Sequence, residues 1–221
     1  MKIVAVVTAD SRGAGEISAL SLVHGETLLT HAVRGLTDSG YVDLVVVLTP
    51  AWRVVVSGEA PLFHRKRPLP GPPVQVLPAE SIHQALEPLR RTEADIFLVH
   101  DASRAFTPPR LVRSVTDAVR GGARVAVPVL PMADTVKLVD ETGVILGTQD
   151  RELLRTAQTP LGFTAEALFT ALASGEPDLL AATGEPVHTV EGHPNAMRIV
   201  TAFDLTLAEA VLAADRHEET L

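Results

Sequence analysis

The sequence predicts a three-layer α/β sandwich built on a mostly parallel sheet. Three observations lead to it. Apolar runs rich in Val and Ile recur at 3–7, 44–48, 96–99 and 125–129 without polar alternation, as strands buried on both faces require. Between them, apolar residues fall at the spacing of one helix face. Strands alternating with helices of this length pair in parallel through right-handed crossovers.

The elements follow in order. After the first strand comes a polar loop, 8–26, and then a helix marked by Leu28, Leu29, Ala32, Val33 and Leu36. Beyond the strand at 44–48, the proline-rich stretch APLFHRKRPLPGPP (60–73) reads as an exposed loop. Its basic run 64–67 is a solvated face rather than a phosphate site. A helix is expected at 81–89, a strand at 96–99, and a helix begun near Pro108 through Leu111, Val112, Val115, Ala118 and Val119. The stretch ADTVKLVDETGVILGTQ (133–149) reads as two strands around a turn at 140–143, a hairpin inserted into the alternation. A last helix is expected at 205–212. With no internal repeat and no strong linker, residues 1–221 are expected to form one domain with a β-arm at about 133–150. A chain of this length can bury roughly 70% of its extended surface.

Composition narrows the function. The net charge of −8 supplies no field for nucleic acid or an anionic membrane, so an anionic ligand must be held by local cations. With no cysteine, disulfides, thiolate nucleophiles and zinc–thiolate sites are excluded. The apolar run at the start is broken by Asp10 and Arg12, too early for a signal peptide, and no apolar stretch reaches about 18 residues. A cytoplasmic location is expected.

In such sheets ligands bind beyond the carboxyl ends of the strands. That puts the loop 8–26, the segment after Val76 and the turn 100–107 at the expected site. In IFLVHDASR (96–104), Asp101 closes a buried strand and its carboxylate falls at the mouth of the sheet. A carboxylate there can bind Mg²⁺ together with substrate phosphates. A helix cap or turn former is the alternative.

The flanking residues carry a resemblance. FLVHDASRAFTPPRLV is similar to the strand and acidic turn of the 2-C-methyl-D-erythritol 4-phosphate cytidylyltransferase (IspD) family, where V-H-D-A-A-R is characteristic. The likeness continues through VPVLPMADTVKLVDETGVILGTQDRELLRTAQTPLGF, with D-T-x-K, D-R and Q-T-P in the family's order. ETLLTHAVRGLTDSGYVDLVVVL and VEGHPNAMRIVTAFDLTLAEAVL extend it to nearly the full length. The resemblance implies a Rossmann-like nucleotidyltransferase fold, CTP and methylerythritol phosphate as substrates, Mg²⁺ as cofactor, and a homodimer formed through the β-arm. It implies attack of methylerythritol phosphate on the α-phosphate of CTP, with the protein orienting two anions and neutralising charge.

By position, the resemblance makes Asp101 the metal and nucleotide contact, with Ala102 backing the nucleotide and Arg104 beside the sugar-phosphate pocket. Thr135 and Arg151 match residues that hold methylerythritol phosphate from the partner subunit, and Thr159 matches the Q-T-P threonine. Arg198 stands where the family has a catalytic lysine, keeping the charge but as a planar fork. Ala9, Gly13, Gly15 and Ser81 fall at nucleotide-binding positions.

The departures also fall on the chemistry. The family's P-A-A-G-x-G-x-R loop and following P-K pair are replaced by TADSRGAGEISALSLVHG, with Asp10 near the phosphate path and Ser18 near the lysine position. Arg12 is the catalytic cation left in that loop. The Gly-Gly turn that recognises cytosine is replaced by LPAES, where Ser81 also suits a helix cap. The T-D-D/E-A-S segment and its helix are missing, bridged by LLAATGEPVHTV. Losing one charge-stabilising donor costs roughly 3 to 4 kcal/mol of transition-state stabilisation. Weak or lost turnover is therefore expected, the alternatives being a non-catalytic paralogue that binds partners and a nucleotidyltransferase with a changed base or acceptor.

Overall fold

A computed structural model of the chain describes residues 1–9, 17–50 and 71–218. Its centre is an eight-stranded sheet. Strand β1 (Ile3–Thr8) pairs in parallel with β4 (Leu44–Thr49) and β6 (Ile96–Asp101), and β4 pairs in parallel with β5 (Val74–Pro78). A small hairpin, β2 (Leu22–Val23) with β3 (Glu26–Thr27), leads into helix α1 (Leu28–Thr37). Thr27 caps α1 by accepting the Thr30 N–H at 3.1 Å.

The unbroken apolar run of β1 follows from burial on both faces. Ile3, Ala5 and Val7 pack with α1 and with Val112, Val115 and Val119 of α3 (Pro109–Arg120). Val4 and Val6 enter the opposite core with Phe97, Phe163 and Leu168. This is the three-layer sandwich the sequence predicts.

Two elements differ from the expectation. The helix foreseen at 81–89 is a turn followed by a short helix α2 (Leu86–Arg90). Pro88 explains it: lacking an N–H, it is tolerated only in the first turn, so the helix cannot begin as early as Ser81. The last helix, conversely, runs longer than foreseen, as Ala202–Glu218.

On the far side, β7 (Val125–Pro131) does not pair with β6. The unforeseen strand β11 (Leu161–Thr164) lies antiparallel between them. Gly162 makes this insertion fit: a Cβ there would lie 2.7 Å from Val115 Cγ1 and 3.0 Å from Val119 Cγ2. β7 also pairs with β10 (Arg155–Ala157), antiparallel, and with β12 (Val187–Glu191), parallel, Val129 facing Ala157 on one edge and Glu191 on the other.

The arm forms as expected, from β8 (Lys137–Val139) and β9 (Ile145–Thr148). Asp140 fixes its turn by accepting the N–H groups of Thr142 and Val144, each at 2.9 Å, and Gly143 takes a left-handed φ of 86°. After β11 come α4 (Ala165–Ser174), capped by Thr164, and α5 (Leu179–Ala182), capped by Asp178. A helical turn thus stands where the bridging segment was expected to have lost its helix. The last helix is α6 (Ala202–Glu218). Among the described residues no helix is long and apolar enough to cross a membrane.

Candidate active site

A cleft of about 580 Å³, within the usual range for small-molecule sites, opens at the carboxyl ends of β1, β4, β5 and β6. Thr8 and Ala9 line it after β1, Leu48 and Pro50 at β4, the turn from Ala79 to His83 after β5, and Asp101 at the end of β6. Arg198 closes it from the segment between β12 and α6.

Asp101 and Arg198 are 97 residues apart and form an ion pair at the mouth. Asp101 Oδ2 accepts from Arg198 Nη2 at 2.9 Å and from Nε at 3.2 Å, and Nε also reaches Ser103 Oγ at 3.3 Å. The other carboxylate oxygen, Oδ1, accepts the Ser103 N–H at 2.8 Å. The turn-former role and the placement at the sheet mouth are therefore both present. The Arg198 side chain is 61% exposed, so its charge remains available to a ligand.

Behind Asp101 lies a buried polar layer. The Asp101 N–H donates to Thr159 Oγ1 at 3.2 Å, and that hydroxyl lies 2.9 Å from Nδ1 of His100. His100 is fully buried, and burial pulls its pKa down to about 4, against the opposing pull of Asp101. The Thr159 hydroxyl thus bridges the Asp101 N–H and the His100 ring.

The other foreseen residues divide into three sets. Ala9 and Ser81 line the cleft, with Ser81 Oγ also accepting the Gln84 N–H at 3.4 Å as a turn cap. Ala102 is buried directly beneath, its N–H given to the Thr8 carbonyl at 3.1 Å. Arg104 turns away from the cleft to hold two carbonyls, Ala196 at 2.6 Å and Ala157 at 3.0 Å, and burial lowers its pKa. Thr135 is exposed at the base of the arm. Arg151 donates to the Ala133 carbonyl at 2.8 Å and lines a separate cavity of about 460 Å³ with Met132, Glu152 and Arg155. Within one chain, then, Thr135 and Arg151 do not join the cleft of Asp101.

Ser18 caps a tight turn, accepting the Leu20 N–H at 3.2 Å, and offers no cation. Arg12, Gly13, Gly15 and Asp10, like the basic run 64–67, lie outside the described residues. Sequence reasoning missed Ser103, His100 and Gln158. Ser103 alone carried a readable signal, two residues after an Asp at a strand end.

No group of three His, Cys, Asp or Glu side chains able to hold a metal occurs among the described residues. A single carboxylate, Asp101, still fits Mg²⁺, which usually keeps water and substrate phosphates as its remaining ligands.

Comparison with known proteins identifies the family. The family model for 2-C-methyl-D-erythritol 4-phosphate cytidylyltransferase (IspD) matches residues 3–214. A 2-C-methyl-D-erythritol 4-phosphate cytidylyltransferase of Saccharopolyspora erythraea is 47% identical over 96% of this chain and 100% of that protein. One from Nocardia farcinica is 42% identical, covering 95% and 94%. The crystal structure of the enzyme of that name from Thermus thermophilus superposes with a TM-score of 0.73 at 28% identity, over 96% of this chain and 98% of that one. The 4-diphosphocytidyl-2C-methyl-D-erythritol synthase of Anaerococcus prevotii shares the fold, with a TM-score of 0.77 at 18% identity over 96% of each chain. The chain belongs to the 2-C-methyl-D-erythritol 4-phosphate cytidylyltransferase family.

Proposed function

We propose that the protein transfers a cytidylyl group from CTP to 2-C-methyl-D-erythritol 4-phosphate, releasing pyrophosphate and leaving CDP-methylerythritol. The observation that carries this reading is the Asp101–Arg198 pair at the mouth of the cleft, a carboxylate and an exposed cation where two anionic reactants must meet.

A phosphate oxygen of methylerythritol phosphate attacks the α-phosphorus of CTP. The new P–O bond forms as the bridging P–O bond to the β-phosphate breaks, and pyrophosphate leaves with the bonding pair. Asp101 is the residue that would hold Mg²⁺, which when bound neutralises charge on the phosphates. Arg198 stabilises the negative charge that builds on the α-phosphate oxygens, the role the family gives to a lysine. Its fork can hold two oxygens at once, whereas an ammonium is a point charge. Ser81 and the turn around it contact the nucleotide from the wall formed after β5.

Methylerythritol phosphate is held by Thr135 and Arg151 of a second copy, reaching across a homodimer joined by the arms. Support comes from the arm itself, where Val139, Val144, Ile145 and Leu146 are each more than half exposed, an apolar surface of the kind a partner covers.

Pyrophosphate release in the presence of CTP, Mg²⁺ and methylerythritol phosphate tests the reading. Turnover dependent on both substrates is expected, with UTP and ATP slower. CTP binding without turnover in a folded protein would favour a non-catalytic role. Faster release with another nucleotide or sugar phosphate would favour a changed substrate.

A further inference from the structure

Gln158 is only 3% exposed, and both ends of its side-chain amide are hydrogen-bonded. Its Oε1 accepts the His193 N–H at 2.8 Å, and its Nε2 donates to the His193 carbonyl at 2.9 Å and reaches the Ala196 carbonyl at 3.4 Å. A flipped amide would set oxygen against oxygen, so the geometry fixes one orientation. The Gln158 backbone is itself anchored, donating to the Pro128 carbonyl at 2.8 Å. His193 opens the short segment that ends at Arg198. The segment also packs closely on the amide oxygen: a Cβ on Gly192 would lie 2.5 Å from Gln158 Oε1 and 2.9 Å from the Val129 carbonyl oxygen. The next residue, Thr159, takes the Asp101 N–H. Two consecutive side chains thus bond the backbone on either side of the ion pair, Thr159 at Asp101 itself and Gln158 at His193 and Ala196, shortly before Arg198.

We propose that Gln158 is a positioning residue for the transfer reaction, fixing the segment 192–198 so that the Arg198 guanidinium stands over the phosphate path. This rests on the cytidylyl-transfer reading. Gln158 touches neither reactant and acts through Arg198. A displacement of about 1 Å in such a group can cost about a hundredfold in rate.

The first test needs no turnover. In ligand-free protein, the Nε–H resonance of Arg198, identified by its loss in Arg198→Lys, reports the pair with Asp101. Gln158→Met, close in volume but without the amide, should move or broaden it. Gly192→Ala, which pushes the same segment while leaving Gln158 intact, should do likewise. An unmoved resonance in both folded variants overturns the proposal.

The second test uses kcat/KM for CTP. Gln158→Met should lower it roughly ten- to a hundredfold in the wild-type background. In an Arg198→Ala background it should cost less than about twofold, because the group it positions has gone. Equal losses in the two backgrounds would mean a merely structural role and would also overturn the proposal. If the wild type releases no pyrophosphate, the proposed function fails, while the resonance still decides for or against Gln158.

Discussion

The cleft and the arm solve the problem of holding charged groups in opposite ways. In the cleft, Asp101 is backed by buried hydrogen bonds to Thr159 and, through it, His100, and Arg198 by a segment tied to Gln158. At the arm, Arg151 is exposed and donates to one carbonyl, Ala133, beside a hairpin whose apolar side chains face outward. The first arrangement is preorganised by the fold of one chain. The second becomes preorganised only when something covers it, since an exposed side chain keeps its rotamer freedom until a partner removes it.

The largest effect should come from the cleft. Asp101→Asn should lower kcat/KM by roughly a hundred- to a thousandfold in a pyrophosphate-release assay, by analogy with loss of one preorganised charge-stabilising group. A loss under about threefold would show that the buried backing of Asp101 serves the fold alone.

Next is the arm. Arg151→Ala should raise KM for methylerythritol phosphate by roughly tenfold or more, a factor of ten corresponding to about 1.4 kcal/mol of binding, with CTP affinity unchanged. The sharper measurement mixes subunits. An Asp101→Asn chain paired with an Arg151→Ala chain contains one site with both residues intact, so at methylerythritol phosphate concentrations below the wild-type KM mixed dimers should exceed the activity of either parent. No such gain on mixing would place Arg151 outside the partner's site and erase the contrast between the two regions.

A smaller effect tests the sheet that both regions share. Gly162→Ala puts a methyl 2.7 Å from Val115 Cγ1 and should cost about 1–3 kcal/mol of stability, read from urea unfolding. An unchanged midpoint would mean that α3 can move away from β11 at no cost.

The smallest concerns pH. His31 is buried beside the β2–β3 hairpin, 3.2 Å from the Val23 carbonyl, and burial holds its pKa below the ordinary 6.5 despite that bond. The unfolded chain takes up this proton first, so the contribution is present above pH 6.5 and is lost as pH falls below it toward the lowered folded value. His31→Gln should flatten the loss of stability between about pH 7.5 and 5.5. An identical slope in both proteins would remove His31 from the account.

How much could be read in advance depended on the range of the interaction. Asp101 was legible because a continuous apolar run followed by an acid marks a strand end, and in a parallel sheet that end faces the ligand. The arm was legible from a turn flanked by apolar residues. Strand β11 was not, because four residues carry no measurable period and the feature that lets it insert, Gly162 under Val115, belongs to packing between distant segments. Helix α2 was misplaced because apolar spacing outweighed the one residue, Pro88, that sets its start. Arg104 was placed by resemblance beside the sugar-phosphate pocket, whereas its two partners, the Ala196 and Ala157 carbonyls, converge on it only in the folded chain.

By itself the sequence determined the layered α/β fold, the family, the inserted arm and the position of Asp101, all of which follow from local periodicity and short motifs. Only the tertiary structure decided that Arg198 meets Asp101 across 97 residues, that Arg151 stands apart from both, and that the Gln and Thr of Q-T-P bond the backbone on either side of the pair. The reason is physical: periodicity reports which face of an element is buried, whereas the partner of a buried polar group is chosen by whichever distant backbone the finished fold brings within hydrogen-bonding reach.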